Sequence, residues 1–497
     1  MKKHWMLIVP GAVLMSASPA WAIDLREAVQ AALNTNPEIR QAIHNKEATR
    51  FERRQGEGLW YPRVSVETSA GIRRLKNPSR RRIGLDDNTL FPVEADLVVD
   101  QLLFDSGGRE AEIRRQAART DGAAARIEER SEFVALNVSR AYIDYLLQQR
   151  LVAIAQDNAT FHERLAGDLR EGVSRGSISI ADQQQAEERL QSARARVTEA
   201  REDLDTAAIE FQTLSGTPID GVTMPPDLSA AMPATLAEAE ALARVQNPRV
   251  QESIADLAAA REVINSARAE MGPRFNLEGR GRLGHDIDGF EGRTTDLLGR
   301  VVMRWTVFNG GTNANNAREQ RARADEVHAR LFEQTRRAEQ DARTAWSRLT
   351  NQTRLLGEIE AQGRVSDDLL LSYREQFNVG RRSLLDVLDA QNTRQNVQAQ
   401  IETARLARVY AQYRVLASTN RLIEALGVAM PTEAWSNDRY RYRVNPIPAT
   451  DLLETSMAQP PMGPPAAMME PTAPLAPAAV APIDPAMPID PAAPAGQ

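Results

Sequence analysis

Phe104-Asp105-Ser106-Gly107-Gly108 and, two hundred residues later, Phe308-Asn309-Gly310-Gly311 are the two stretches on which the fold turns. Each closes an alternating apolar segment and opens a very long run without proline. No proline occurs between Pro92 and Pro218, or between Pro273 and Pro431. Runs of that length without a breaker predict helices several times the usual length, interrupted only near Gly176 and Gly380. Upstream, each copy starts on Asn-Pro (Asn36-Pro37, Asn247-Pro248) and carries an aromatic beside a proline at its first strand (Tyr61-Pro62, Pro273-Arg274-Phe275). The chain therefore contains a duplicated strand–strand–long-helix–long-helix unit, and the repeat sets the architecture.

Four strands are expected, over about 63–70, 95–104, 275–283 and 297–307. In the first, Val64, Val66, Thr68 and Ala70 alternate with Arg63, Ser65, Glu67 and Ser69; in the last, Leu297, Val301, Met303, Trp305 and Val307 oppose Arg300, Arg304 and Thr306. Each is about ten residues long with one apolar and one polar face, as in a tilted membrane strand. A small soluble sheet is the alternative. Four strands cannot close a barrel, because the smallest membrane barrels have about eight, so a spanning barrel has to pool strands from several chains. The loops over 72–94 and 285–294 then lie outside and the helices in the periplasm. Helices are expected over about 107–171, 177–214, 311–377 and 383–426. On the last, Ile401, Ala404, Ala407, Ala411 and Val415 form one stripe and Leu406, Val409, Tyr410, Tyr413 and Leu416 a second, which suits a wall of helices packed on two sides. A long antiparallel coiled coil is the competing reading of the helices alone.

Composition agrees. Of 497 residues only 5% are aromatic and the net charge is −6, so the core per residue is thin. No basic patch with interleaved aromatics points to nucleic acid. Lys2 and Lys3, an apolar run over 6–15 and Ala20-Trp21-Ala22 read as a signal peptide over 1–22. The first repeat is placed at 23–216, a linker at 217–234, the second repeat at 235–430 and a C-terminal extension at 431–497, Pro- and Ala-rich and disordered from about 459. The sequence holds no cysteine, which removes disulfides, thiol chemistry and an acylated N-terminal cysteine.

Three motifs fail on context. Gly172-Val173-Ser174-Arg175-Gly176 matches a serine-hydrolase elbow but lies between long helices rather than after a strand. Gly279-Arg280-Gly281-Arg282-Leu283-Gly284 matches the dinucleotide fingerprint but lies inside a strand with no helix to receive a pyrophosphate. Asp286-Ile287-Asp288-Gly289 begins a calcium loop that lacks its closing ligand. The five histidines show no pair at metal spacing. No catalytic residue, cofactor site or metal site is expected, and the chain is read as a non-enzyme.

The segment from Phe377 to Asn392 (FNVGRRSLLDVLDAQN), with the two Phe-Asp/Asn-(x)-Gly-Gly strand ends and the Asn-Pro starts, resembles the hallmark of the TolC family of outer-membrane channel-tunnels. The resemblance covers roughly 23–430. It implies a homotrimer with a twelve-stranded barrel in the outer membrane and a twelve-helix tunnel through the periplasm. On the residues alone, Asp386 and Asp389 share a helix face just after a turn, where they also suit the positive end of a helix start. In the family these positions line the periplasmic pore constriction, where three chains bring together six carboxylates that attract cations. The first repeat offers Asp182 opposite Asp386 but Gln185 opposite Asp389. Family gates are held by a tyrosine and an arginine ahead of the acidic pair. Arg382 matches the arginine, with Asp182 as its expected acceptor, whereas Phe377 stands in the tyrosine's place without a hydroxyl. The resemblance also implies a periplasmic adaptor docking at the turns around Gly176 and Gly380, and an inner-membrane ABC transporter or RND-type pump. The Gly-x-x-Ser-Leu-Leu-Asp-Val-Leu-Asp-Ala pattern and the absence of a lipidated cysteine resemble channels serving type I protein secretion more than drug efflux. Small-molecule efflux is the second expectation, and a soluble periplasmic coiled-coil adaptor is the competing class.

Overall fold

The computed structural model describes residues 23–84, 89–448 and Leu452. The signal peptide expected over 1–22 and the Pro-rich tail expected from about 459 lie outside the described residues.

The first repeat runs α1 (Leu25–Thr35), α2 (Pro37–Gly58), β1 (Arg63–Ala70), β2 (Arg73–Arg74), α3 (Pro78–Arg82), β3 (Thr89–Leu90), β4 (Val93–Phe104), α4 (Gly108–Ser174) and α5 (Ile180–Ser215). The second runs α6 (Leu236–Gln246), α7 (Pro248–Ala269), β5 (Arg274–His285), β6 (Arg293–Arg304), α8 (Thr312–Asn378) and α9 (Leu384–Ser418), followed by the one-turn α10 (Leu422–Ala425) and α11 (Asp438–Arg441). The two repeats match in backbone detail. Asn36 and Asn247 end one helix at φ −62° and cap the next, accepting from Glu38 N at 2.8 Å and Arg249 N at 3.0 Å. Proline takes the following position, where its missing N–H costs nothing. The helices α4 and α8 have 67 residues each, about 100 Å at roughly 1.5 Å per residue.

The strand-to-helix junctions explain the opening motif. Ser106 (φ 58°) and Gly107 (φ 93°) turn the chain in left-handed conformation, and the Asp105 carboxylate accepts from Arg109 N at 2.6 Å. The Arg109 guanidinium, buried, donates to the Leu102 and Leu103 carbonyls at 2.8 and 3.0 Å and lies 4.0 Å from the Trp60 ring. In the second repeat Gly310 and Gly311 take φ 69° and 84°, and the Asn309 carbonyl accepts from Thr312 Oγ1 at 2.9 Å. The first junction is also locked to the second repeat: Ser106 Oγ donates to the Pro273 carbonyl at 2.9 Å, and a Cβ on Gly272 would stand 2.1 Å from that hydroxyl.

The main sheet is antiparallel in the order β1-β4-β5-β6, with β1 and β6 as open edges. Its register separates two faces. Val66, Leu97, Gly281 and Leu297 stand in one row, with Val64, Val99, Gly279 and Gly299 beside them; Leu297 is 86% exposed and Val66 70%. On the opposite face Glu67, Asp96, Arg282 and Asp296 form a row and Arg63, Asp100, Glu278 and Arg300 another. Ion pairs knit that polar face: Arg280 to Asp96 at 2.9 Å, Arg282 to Glu94, and Arg300 to Glu278 at 2.9 Å. The glycines of the dinucleotide-like stretch lie within β5, two of them on the apolar face. The fourth strand ends at Arg304, short of the expected 307. Trp305 instead turns out, its indole donating to the Met271 carbonyl at 3.0 Å. With Tyr61 and Phe308, both exposed, it places aromatics at the helix-side rim of the sheet.

The largest core cluster gathers α1, α4, α5, α9 and α10 around Tyr142, Phe211 and Tyr413, all fully buried. The hydroxyls find partners: Tyr142 bridges Ile23 O and Thr223 O at 3.0 Å, and Tyr413 donates to Pro226 O at 2.8 Å. The helix expected over 383–426 stops at Ser418, because Asn420 takes φ 59° and breaks the hydrogen-bond ladder before α10 begins. After Pro431, where helical pattern in the sequence ends, the chain forms an ordered strap. Asp121 on α4 accepts from Ser436 Oγ, Asp438 N, Arg439 N and Arg439 Nε at 2.6–3.1 Å. Lys46 Nζ on α2 donates to the carbonyls of Glu433 and Trp435 at 2.6 and 2.7 Å, and Val444 and Ile447 pack against Ala118, Ala258 and Ala259.

Candidate functional site

The two interhelical turns lie side by side at the end of the helices farthest from the sheet. Gly176 and Gly380 take φ 74° and 73°, a conformation that glycine adopts without strain. Each turn then restarts a helix with the same device. Ser179 Oγ accepts from Asp182 N at 3.1 Å and donates to its carboxylate at 2.7 Å. Ser383 Oγ does the same with Asp386, at 3.2 and 2.8 Å, and Asp386 also accepts from Ser383 N at 3.4 Å. The second is a reciprocal capping box. Ser-x-x-Asp before an apolar run is the sequence signal for this geometry, and it stands at both turns, Ser179 to Asp182 and Ser383 to Asp386.

Asp182 and Asp386 thus occupy equivalent places, half-buried and tethered to the start of their helices. Asp389 lies one turn further on, fully on the exposed side, while Val387, Leu388 and Ala390 around it are buried. The helix therefore presents carboxylates to one side and apolar side chains to the other. The apolar side joins Leu384 and Leu388 of α9 to Ala166 and Leu169 of α4 and to Ala186 and Leu190 of α5. Phe377 belongs to this packing, lying against that cluster and against the one formed by Leu370, Val387 and Ala390. Its aromatic ring acts here as packing between the turns.

Arg382 lies across the outgoing and incoming helices. Its guanidinium carbon sits 4.1 Å from the centre of the Tyr373 ring, and Nη1 approaches Asp386 Oδ2 at 3.8 Å. Within the chain no hydrogen bond or ion pair joins Arg382 to Asp182; the structure brings Arg382 to Asp386 and to Tyr373, a partner that the linear spacing does not reveal because it stands across the turn. Just beyond the turns, Gln391 donates to Asn158 at 2.8 Å in a buried bond between α9 and α4, and Arg394 pairs with Asp367 at 2.7 Å. Among the described residues no cluster of His, Asp and Glu could hold a metal ion, and no helix is long and apolar enough to cross a membrane.

A sheet with an apolar outer and an ion-paired inner face, joined to paired long helices that end in acidic turns, defines a channel-tunnel protein. The model of the family described as "Outer membrane efflux protein" matches residues 28–217 and 241–428. The alkaline protease secretion protein AprF of Pseudomonas aeruginosa is 23% identical over 390 residues, covering 76% of this chain and 80% of that protein. The toluene efflux pump outer membrane protein TtgF of Pseudomonas putida is 25% identical over 427 residues, covering 81% and 83%. Among solved structures, the Campylobacter jejuni CmeC outer membrane channel superposes with a TM-score of 0.69 at 14% identity, covering 86% of this chain and 90% of that one. The chain belongs to the outer membrane efflux protein family, the TolC-like channels, and resides in the outer membrane with its helices extending into the periplasm. It is a channel protein and not an enzyme, and the soluble adaptor is thereby set aside.

Proposed function

We propose that the chain is the exit duct of a type I secretion system, passing protein cargo outward as a homotrimer gated at its periplasmic turns. The observation that carries the duct is the open sheet. With β1 and β6 unpaired, an apolar outer face and an ion-paired inner face, a lone chain would expose two sheet edges to lipid, which the bilayer core does not tolerate. Three chains of four strands close the barrel edge to edge. The same assembly gathers Asp386 and Asp389 from each chain into a carboxylate ring that concentrates cations and narrows the passage. Arg382 is the latch in this reading: exchanging its Asp386 contact for Asp182 ties the two turns together, and adaptor contacts near Gly176 and Gly380 release it.

Cargo is the finer part of the proposal. The protease-secretion relative supports protein export driven by an inner-membrane ABC transporter through a periplasmic adaptor. The toluene-efflux relative supports the second reading, small-molecule efflux with an RND-type pump. Deleting the gene and measuring exported proteins alongside sensitivity to drugs and solvents separates them. Loss of specific proteins from the medium with unchanged sensitivity is expected; intact export with sharply raised sensitivity would establish the second reading instead.

A further inference from the structure

Near the turns, the packing between α4 and α9 includes a buried polar seam. Asn158 and His162 of α4 and Gln391 and Gln395 of α9 are each less than a tenth exposed. The two α4 residues are one turn apart, as are the two on α9, so each pair shares a helix face. One hydrogen bond crosses the seam, from Gln391 Nε2 to Asn158 Oδ1 at 2.8 Å. Among the described residues, Gln391 Oε1 and His162 Nδ1 are buried without a hydrogen-bond partner.

The seam lies behind the acidic residues of α9. Helix α4 runs toward the turns and α9 away from them. Asn158 meets Gln391, and nearer the turns Ala166 clusters with Leu384 and Leu388. His162 falls between those two levels, beside the turn of α9 that carries Asp389 on its opposite, exposed face.

Charge around His162 is sparse. From α5 it is faced by Arg189 and Glu188, which approach each other at 3.5 Å. Glu163, next to it on α4, pairs with Arg194 of α5 at 2.9 Å. On α9, farther from the turns, Arg394 pairs with Asp367 of α8 at 2.7 Å and approaches Asp157 of α4 at 3.7 Å. From α8, Arg374 lies 5.5 Å from the ring of the neighbouring Phe161. Among the described residues no carboxylate forms an ion pair with His162.

Burial lowers the imidazole below its ordinary 6.5; Arg189 pushes the same way and Glu188 opposes. In the packed seam the ring is therefore neutral, and a proton there is a charge without a partner. A state in which α9 has parted from α4 exposes the ring, restores its ordinary affinity for a proton and hydrates the unpartnered atoms of His162 and Gln391. Acid favours that parted state, beginning near 6.5 and growing as pH falls toward the lowered value.

We infer that His162 makes the periplasmic gate proton-sensitive: uptake of a proton by its imidazole loosens α9 from α4 and widens the constriction. This rests on the reading of the turns as the gate, and adds to the Arg382 latch a control that needs no adaptor.

The test records single-channel conductance of the purified full-length oligomer in a planar bilayer as pH falls from about 7.5 to about 5.5. Wild-type conductance should rise severalfold. His162→Gln, which keeps a neutral polar side chain, should stay flat, and its melting in detergent at the upper pH reports folding. Arg189→Gln leaves the histidine in place and removes a cation that holds it neutral. Packed and parted states then differ less in proton affinity, so the rise should shrink. An equal rise in wild type and His162→Gln would overturn the inference. A full-sized rise in Arg189→Gln would count equally against it, which keeps the test decisive should His162→Gln fail to assemble. A wild-type conductance indifferent to pH would overturn it too, and Arg382→Ser at the upper pH then separates two causes. Raised conductance in that variant leaves the gate standing without a proton switch; unchanged conductance removes both.

Discussion

Glu132 shows how much a single side chain can set the conditions under which this fold is stable. It lies on α4 facing α10, almost wholly buried, accepting from Ile423 N at 3.2 Å, with its second oxygen unpartnered. Burial pushes its carboxyl up to about 8, and the nearby carboxylates Glu128 and Glu424 push the same way. Asn420 holds Glu128 at 2.7 Å, and burial raises that carboxyl too. Among the described residues no ion pair with Arg, Lys or His engages either carboxylate. The folded chain therefore binds the Glu132 proton more tightly than the unfolded chain does, so the stabilising contribution is complete below about 4.5 and declines as pH rises toward 8. Glu132→Gln should flatten the fall in melting temperature across that window and stabilise the protein at pH 8 by on the order of 1 kcal/mol. Parallel melting curves for wild type and variant from pH 5 to about 8 would mean the carboxyl is not held protonated.

Among the elements, the strap over 431–447 has the clearest consequence. It adds little apolar burial and is held by polar bonds that converge on Asp121, Lys46 and Arg53, the last pairing with Asp438 and stacking 4.7 Å from the Tyr442 ring. Asp121→Ala removes four acceptor bonds at a buried site. Stability should fall by about 2–4 kcal/mol, and limited proteolysis should cut within 431–447 well before the long helices. A strap as protease-resistant as in the wild type would place its anchorage in the apolar contacts of Val444 and Ile447 instead. This element was illegible in the sequence for a physical reason. Its partners lie three hundred residues away, its own stretch has no periodicity, and an aspartate inside a helix gives no sign that it will cap another segment. The long helices were legible because proline is absent and the glycines fall at the turns. The break at Asn420 was not, since neither proline nor glycine marks it. At the turns the spacing of Asp386 and Asp389 was readable from the helical period. The serine that tethers Asp386 was within reach of a capping pattern. Tyr373 over Arg382 was not, because the two approach only after the chain reverses.

At the scale of the whole molecule, the sheet and the turns divide the work. On the inner face of the barrel strands arginines and carboxylates are paired with one another, so that face presents little uncompensated charge to cargo. The turns differ: Asp389 is exposed with no ion pair, and Asp386 has only the 3.8 Å approach of Arg382. Ion selectivity should therefore arise at the periplasmic end, and so should the resistance to flow. Arg382→Ser, which removes the proposed latch and leaves the cap of Asp386 by Ser383 intact, should raise resting conductance severalfold; an unchanged conductance would remove Arg382 from the gate.

The most direct test records single-channel currents from the purified protein in a planar bilayer, wild type against Asp386→Asn/Asp389→Asn. A small, cation-selective conductance whose selectivity collapses in the double variant is the predicted result. Cation selectivity that is fully retained in the double variant would contradict the acidic constriction, and the absence of any conductance from folded oligomer would contradict the duct itself.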